Sequence, residues 1–322
     1  MSLTGKYEIP APGSSVPGSP FGRENMKAKG IAATILSALL FGFTPVLASK
    51  TYDMGSTPET LTFYRNLLVV PILFLILLIR REDFRLSGRT LSCVVLFGVL
   101  GRGATTLMLY SAYPYAGIGI STTLHFLYPV FVALLCRIFF KERLGLVKSA
   151  VLVMAVCGIL FFLEKGQSGA LTGIILAVVS GFTYALYMVG LDKTRLKDIS
   201  PYKNSFYMAI AVAAGMLLYN IPTRKIVFAL PPKAFAYTLV IAVCTSLLAV
   251  ILLQVGIRYL SATTAAIFCL FEPISCSVSG WLFLGEEIRW QKIVGSLLIL
   301  AAAAILMAVK EPCRPRRKAS AG

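Results

Sequence analysis

The sequence predicts an all-α integral membrane protein with ten transmembrane helices arranged as a 5+5 inverted repeat. Three observations carry this. First, the 322 residues are 57% apolar and only 14% charged, with a mean hydropathy of +0.80. That is more apolar surface than a soluble domain of this size covers, so lipid must cover the rest. Second, apolar runs long enough to cross about 30 Å of hydrocarbon, roughly 17 to 25 residues each, occur ten times. Third, the stretch HFLYPVFVALLCRIFFKERLGLVKSAVLVMAVCGILFF within 115–162 is restated within 259–307 as CLFEPISCSVSGWLFLGEEIRWQKIVGSLLILAAAAIL. One offset of 144 superposes Tyr115 on Tyr259, Pro129 on Pro273, Glu142 on Glu286 and Lys148 on Lys292.

In chain order, the first span, 31–48, follows Lys27 and Lys29 and closes at Lys50. The second, 61–79, contains Phe63-Tyr64-Arg65 and runs into the basic loop Arg80–Arg89. The third, 91–109, holds Gly98, Gly101, Arg102 and Gly103. The fourth, 117–139, carries His125 and Pro129, and the fifth is 146–163. The sixth, 170–190, has a stripe of small residues, Ala177, Gly181 and Ala185, suited to close helix packing. The seventh, 205–221, begins after Pro201 and Tyr202 and ends near Asn220 and Pro222. The eighth is 234–257, the ninth, 261–284, contains Glu272 and Pro273, and the tenth is 293–309.

The repeat extends to the first spans. An offset of 143 aligns Gly30-Ile31 with Gly173-Ile174, Ser37 with Ser180, and Lys50-Thr51 with Lys193-Thr194. Spans 1–5 thus map onto 6–10. Five crossings are an odd number, so the second copy enters from the opposite side, which inverts the repeat. The domains expected are repeat 1 over 28–165 and repeat 2 over 169–310. They are flanked by a Pro- and Gly-rich tail, 1–27, expected to be disordered, and a basic tail, 311–322. Met26, just before Lys27, offers an alternative start that would make the preceding residues an extension.

The net charge of +17 would suggest nucleic acid in a soluble chain. Here its distribution suggests topology instead, and no nucleic acid partner is expected. With both termini in the cytoplasm, cytoplasmic tails and loops hold 21 Lys and Arg and the opposite loops hold 7. That asymmetry fits the positive-inside rule in a multi-pass protein of the cytoplasmic membrane. Six of the seven cysteines fall in apolar spans and Cys313 in the tail, which gives no disulfide framework and no metal spacing.

The chain resembles the drug/metabolite transporter superfamily, in its ten-span EamA-type branch. The resemblance rests on the first span ending LLFGFTPVLASK (Leu39–Lys50), on Phe63-Tyr64-Arg65 heading span 2, and on two proline-centred spans that close on Glu, Pro129 to Glu142 and Pro273 to Glu286. It covers about 28–310. It implies the ten-helix fold and the carriage of amino acids, other metabolites, cofactors or drugs, without sorting among them. No acidic residue lies in span 1, so the first-helix carboxylate mechanism of the four-span relatives does not carry over.

Charged groups at membrane depth mark a pathway or a structural pair. Glu272 is the one acidic residue deep in a span, and Pro273 frees carbonyls about a turn earlier; it is a candidate for substrate binding or coupling, or a structural partner of Arg65 or Arg102. His125, four residues before Pro129, is a candidate proton-coupling group or a neutral histidine bonded between helices. Arg102 is a candidate for bidentate binding of a carboxylate, or a partner for Glu272. Arg65, nearer a membrane face, is a candidate ligand or a snorkelling helix-end residue. Phe41, Tyr64, Tyr110, Tyr128, Tyr184 and Phe271 are candidate cavity walls. Pro129 and Pro273 are the expected helix kinks. Glu142 and Glu286 are expected to cap their spans by pairing with Arg143 or Lys148 and with Arg289 or Lys292; a gate is the alternative.

No Walker A loop, dinucleotide fingerprint, HExxH or nucleophile elbow occurs, so no enzyme and no cofactor is expected. The expected function is secondary transport of a small organic metabolite, an amino acid or related zwitterion first, by alternating access. The partners are that solute and the bilayer, with protons as a coupling ion, in a monomer or homodimer. The alternatives are an organophosphate or nucleotide-sugar exchanger, which needs a denser basic cavity, and a membrane-embedded lipid-handling protein, whether scramblase or enzyme.

Overall fold

The computed structural model describes residues 20–142, 145–161, 171–285 and 289–308. Both tails, the linker between the repeats, and Arg143 and Glu286 lie outside them. Every regular element among the described residues is helical. Eight helical stretches are long and apolar enough to cross a membrane: 25–52, 58–79, 88–125, 171–193, 201–223, 232–259, 262–283 and 290–308. Two apolar helices are shorter, Tyr128–Phe140 and Leu146–Leu160.

Several stretches are not single helices, and the sequence says why. α1 (Pro20–Gly42) stops before α2 (Thr44–Tyr52), and α3 (Pro58–Leu67) stops before α4 (Val69–Ile79). Pro45 and Pro71 lack the N–H that would bond one turn back, and each ring crowds that carbonyl. α5 (Gly88–Leu96) leads through a π-helical segment, Phe97–Gly103, into α6 (Ala104–His125). α6 itself is interrupted at Gly117, whose φ of 71° and ψ of 163° are not helical. A Cβ at that φ would be strained, so glycine makes the break possible.

The span expected over 117–139 is therefore two helices, the end of α6 and α7 (Tyr128–Phe140), separated at Phe126-Leu127. The one expected over 261–284 divides in the same way into α13 (Ala262–Phe268) and α14 (Phe271–Leu284). Pro129 and Pro273 sit in the first turn after each break. Both helices end on a left-handed residue, Lys141 at φ 52° and Gly285 at φ 69°. These two residues are 144 positions apart.

Between them lie α8 (Leu146–Leu160), α9 (Leu171–Lys193), α10 (Pro201–Thr223) and α11 (Pro232–Ile241). A second π-helical segment, Ala242–Ala249, then joins α11 to α12 (Val250–Tyr259), and α15 (Trp290–Ala308) follows α14. Pro58 and Pro201 each open a helix, where a missing N–H costs nothing. Thr57 caps α3 by accepting from Thr60 N at 3.0 Å, and Ser261 caps α13 by accepting from Thr264 N at 3.2 Å.

Packing is reciprocal. α9 lies along α6 and α7, while α1 lies along α12, α13 and α14, and α8 pairs with α15. The central core joins Tyr128, Val132, Tyr187, Met188, Phe268 and Ile299. Side chains such as Ile79, Phe139, Leu218 and Ile221 face outward, where lipid is their natural solvent. Gly181 shows how tight the centre is: a Cβ there would come within 2.8 Å of the His125 carbonyl oxygen, one of the carbonyls left open before Pro129. Gly181→Ala is expected to lower stability by about 1–3 kcal/mol, read as a lower melting temperature in detergent.

Candidate functional site

Thr44 and Pro45 in the first turn of α2, Glu272 in the first turn of α14, and His125 and Phe126 at the break before α7 line one central cavity, which together with its solvent-open mouth encloses about 520 Å³. Its charged pole is Arg65 on α3, only 3% exposed and far from the snorkelling position expected of it. The guanidinium donates from Nε to Ser246 Oγ at 2.7 Å, from Nη2 to Thr245 Oγ1 at 2.7 Å, and from Nη1 to the Tyr110 hydroxyl. Three hydroxyls thus orient the group without neutralising it, and two of its five N–H donors have no acceptor among the described residues.

Glu272 is half-buried on the same cavity, at the second position of α14. Among the described residues its carboxylate makes no ion pair and accepts no hydrogen bond, so the structural pairing with Arg65 or Arg102 is absent. Arg102 takes a different place. It is buried in the first π-helical segment and does not line the cavity. Its Nη2 donates to Ser246 O at 3.2 Å while Nη1 has no partner among the described residues. Arg65 and Arg102 therefore converge on opposite ends of one residue, Ser246.

His125, 4% exposed, lines the cavity and meets Ser180 Oγ at 2.9 Å through Nδ1. Ser180 in turn donates to Ala177 O at 2.6 Å. A hydroxyl has one proton, so that bond leaves Nδ1 of the neutral ring as the donor to Ser180 and Nε2 as the unprotonated nitrogen. The ring packs at 5.4 Å from Tyr184 and 5.5 Å from Tyr128.

Of the candidates named from the sequence, Glu272, His125, Arg65, Tyr184, Phe41 and Tyr110 line the cavity; Arg102 and Tyr128 do not. Tyr128 is fully buried behind Tyr184, with centroids 4.8 Å apart. Tyr64 instead donates to Phe228 O at 2.9 Å near the surface. Sequence reasoning missed Thr44, Tyr113, Thr105, Thr106 and Thr122 on the wall, and Thr245 and Ser246 behind Arg65. The Thr105-Thr106 doublet just after the Gly101-Arg102-Gly103 run was the one available signal. Among the described residues no group of three His, Cys, Asp or Glu could hold a metal ion.

A second polar cluster stands where α7, α9 and α13 meet, at the far end of α7. Lys193 pairs with Glu142 and, at 3.0 Å, with Asp192. Asp192, with a side chain 0% exposed, also holds Lys197 at 3.1 Å and accepts from Ala262 N, the first residue of α13, at 3.3 Å. Glu142 thus pairs with a residue of the neighbouring helix α9, while Arg143, one of the local partners expected for it, lies outside the described residues. The cavity wall lies toward the opposite end, with Thr44 and Pro45 on α2 and Leu109 and Tyr113 on α6.

An uncharacterized transporter of Archaeoglobus fulgidus is 26% identical over 280 residues, 86% of this chain and 95% of the relative. The uncharacterized transporter YcbK of Bacillus subtilis is 26% identical over 83% of this chain and 89% of its own. The threonine/homoserine exporter RhtA of Salmonella typhimurium is 28% identical over 65% of this chain and 69% of its own. A solved crystal structure superposes with a TM-score of 0.74 at 16% identity, over 89% of this chain and 99% of that one, and so shares the fold. The family pattern matches twice, over residues 28–163 and 171–308. An all-helical membrane protein with these relatives is a transporter and not an enzyme, and the chain belongs to the EamA-like transporter family.

Proposed function

We propose that the protein is a secondary transporter that carries a small amino acid or related zwitterion across the cytoplasmic membrane by alternating access. The observation that carries this is the pair of opposite charges on one cavity, Arg65 and Glu272, neither neutralised by the other. A solute with a carboxylate and an amine supplies both missing partners. Arg65 has two N–H donors free for the carboxylate, and Glu272 accepts from the ammonium. Arg102 stands behind Arg65 as a positioning residue, through Ser246. Among the described residues Arg65 is the one cation that lines the cavity, which argues against an organophosphate or nucleotide sugar. The likeness to the threonine/homoserine exporter RhtA supports the amino acid reading.

Two five-helix repeats, 28–165 and 169–310, carry the motion, with ten crossings and both termini in the cytoplasm. The breaks at 126–127 and 269–270, the left-handed caps 144 residues apart, and the two family matches support this division. Dividing the 88–125 stretch at Gly117 gives the third and fourth crossings. In this conformation the Glu142–Lys193–Asp192 cluster closes one end, placed on the cytoplasmic side by the charge bias, while the cavity extends toward the other. Glu272 or His125 provides the proton coupling. Purified protein in proteoliposomes is the test. Labelled amino acid should accumulate down an imposed proton gradient, and Arg65→Gln should cut that uptake by at least about tenfold by removing the charge-assisted bonds. Uptake of no amino acid by the unaltered protein would overturn the proposal.

A further inference from the structure

We infer that the transporter moves about a fixed unit that crosses the boundary between the two repeats: α3, α4 and α10, held together by two matching clasps, one at each membrane face. The inference rests on the alternating-access reading.

Each clasp joins the first two turns of one helix to a loop of the other repeat. In the first, Thr57 Oγ1 donates to Lys225 O at 2.9 Å, Val227 N to Thr60 Oγ1 at 2.8 Å, and the Tyr64 hydroxyl to Phe228 O at 2.9 Å. In the second, Ser200 Oγ donates to Glu82 Oε1 at 2.9 Å, Lys203 Nζ to Arg85 O at 2.7 Å, and the Tyr207 hydroxyl to Phe84 O. The rings correspond as well. Phe63 meets Phe228 edge-on with centroids 6.2 Å apart, and Phe206 meets Phe84 edge-on at 6.1 Å.

The two sets occupy equivalent positions. Thr57 and Ser200, Thr60 and Lys203, Phe63 and Phe206, and Tyr64 and Tyr207 are each 143 positions apart, and so are Glu82 and Lys225. Arg81 and Arg224 share that offset; they follow α4 and α10 in the left-handed conformation, at φ 52° and 51°, and start the two loops. α3 and α4 both lie along α10, so the clasps tie the ends of helices already in contact.

Both clasps are closed in one conformation, and that separates them from gates. α3 starts on the face where α2 ends, the face toward which the cavity extends, and α4 carries the chain to the opposite one. A gate on the open side would be parted here, yet the first clasp has all three of its bonds. A contact made equally well in both conformations biases neither. The clasps therefore hold a frame, and the Glu142–Lys193–Asp192 corner opens against it. Arg65 follows Tyr64 on α3 and belongs to that frame.

The test uses a cavity cysteine, Thr106→Cys, in the full chain with its seven native cysteines replaced. Thr106 lines the cavity and turns its hydroxyl to carbonyls of the preceding turn. The protein is reconstituted in one orientation in liposomes and labelled with a membrane-impermeant thiol reagent from one side at a time. Tyr64→Phe and Tyr207→Phe, each of which keeps the ring and removes one oxygen, should each lower the melting temperature by about 1–4 °C. The ratio of labelling rates from the two sides should change by less than about twofold in both. Were the clasps gates, the two variants would shift that ratio in opposite directions, each by about fivefold for a hydrogen bond of ordinary strength. Such opposite shifts, or melting temperatures unchanged in both variants, overturn the inference and leave alternating access standing. If the cysteine is labelled from one side only, and remains so in Asp192→Asn, alternating access falls and this inference falls with it.

Discussion

Glu272→Gln should abolish concentrative uptake while leaving expression and melting temperature close to those of the unaltered protein. The amide keeps the size and hydrogen-bonding capacity of the side chain but removes its charge. Were the carboxylate one half of a buried pair, the same change would strand a cation and destabilise the fold. The structure offers no such cation within ion-pair distance among the described residues, because Arg65 is held by Tyr110, Thr245 and Ser246, and Arg102 by the Ser246 carbonyl. Transport and stability are therefore expected to separate. Counterflow in proteoliposomes and a thermal melt of the same preparation measure both. Normal accumulation by a stable Glu272→Gln protein would remove this residue from the mechanism.

Asp192→Asn should do the opposite. Asp192 is fully buried and holds Lys193, Lys197 and the Ala262 N–H together. Losing its charge removes the carboxylate that Lys193 and Lys197 share, and the Lys193 side chain is only 8% exposed. Removing one partner from a buried charge cluster costs about 3–5 kcal/mol. A large fall in melting temperature is expected, and a loss of tethering between α9 and α13. If the cluster also closes one end of the pathway, labelling of a cysteine placed in the cavity from that side should become faster. An unchanged melting temperature would show that water or lipid headgroups already screen this cluster.

The helix breaks were legible because proline acts locally. Pro129 and Pro273 announce where a backbone bond is lost whatever packs around them, and the element limits follow within a few residues. The cavity was legible in part for the same reason. His125, Glu272 and Phe41 sit within four residues of a proline, so a local rule placed them beside freed backbone. Arg65 was misjudged because its depth depends on a distant segment: the π-helical stretch 242–249 covers it, and nothing near residue 65 announces that. Arg102 was misjudged in the other sense. Its glycine neighbours do allow close approach, but α9 and α10 fill that space instead of a solute; a Cβ on Gly101 would stand 2.9 Å from Tyr187 Cβ. Glu142 has basic neighbours in sequence, yet its pairing with Lys193 is set by how α7 and α9 end side by side. Whether a hydroxyl such as that of Tyr113 finds a partner is likewise a tertiary fact, invisible to spacing.

The meeting of Arg102 with Ser246 has one more consequence. The two positions are 144 apart, the offset that relates the two halves, and each lies in its half's π-helical segment. In an assembly of two identical, oppositely inserted subunits, both places would hold the same residue. Two arginines would then repel, or two serines would leave the space empty. On the proposed repeat, one polypeptide lets the two positions carry different residues, so that one supplies a donor and the other an acceptor. A gene cut between the halves should accordingly work only when both different pieces are expressed together, and never as a pair of either piece alone.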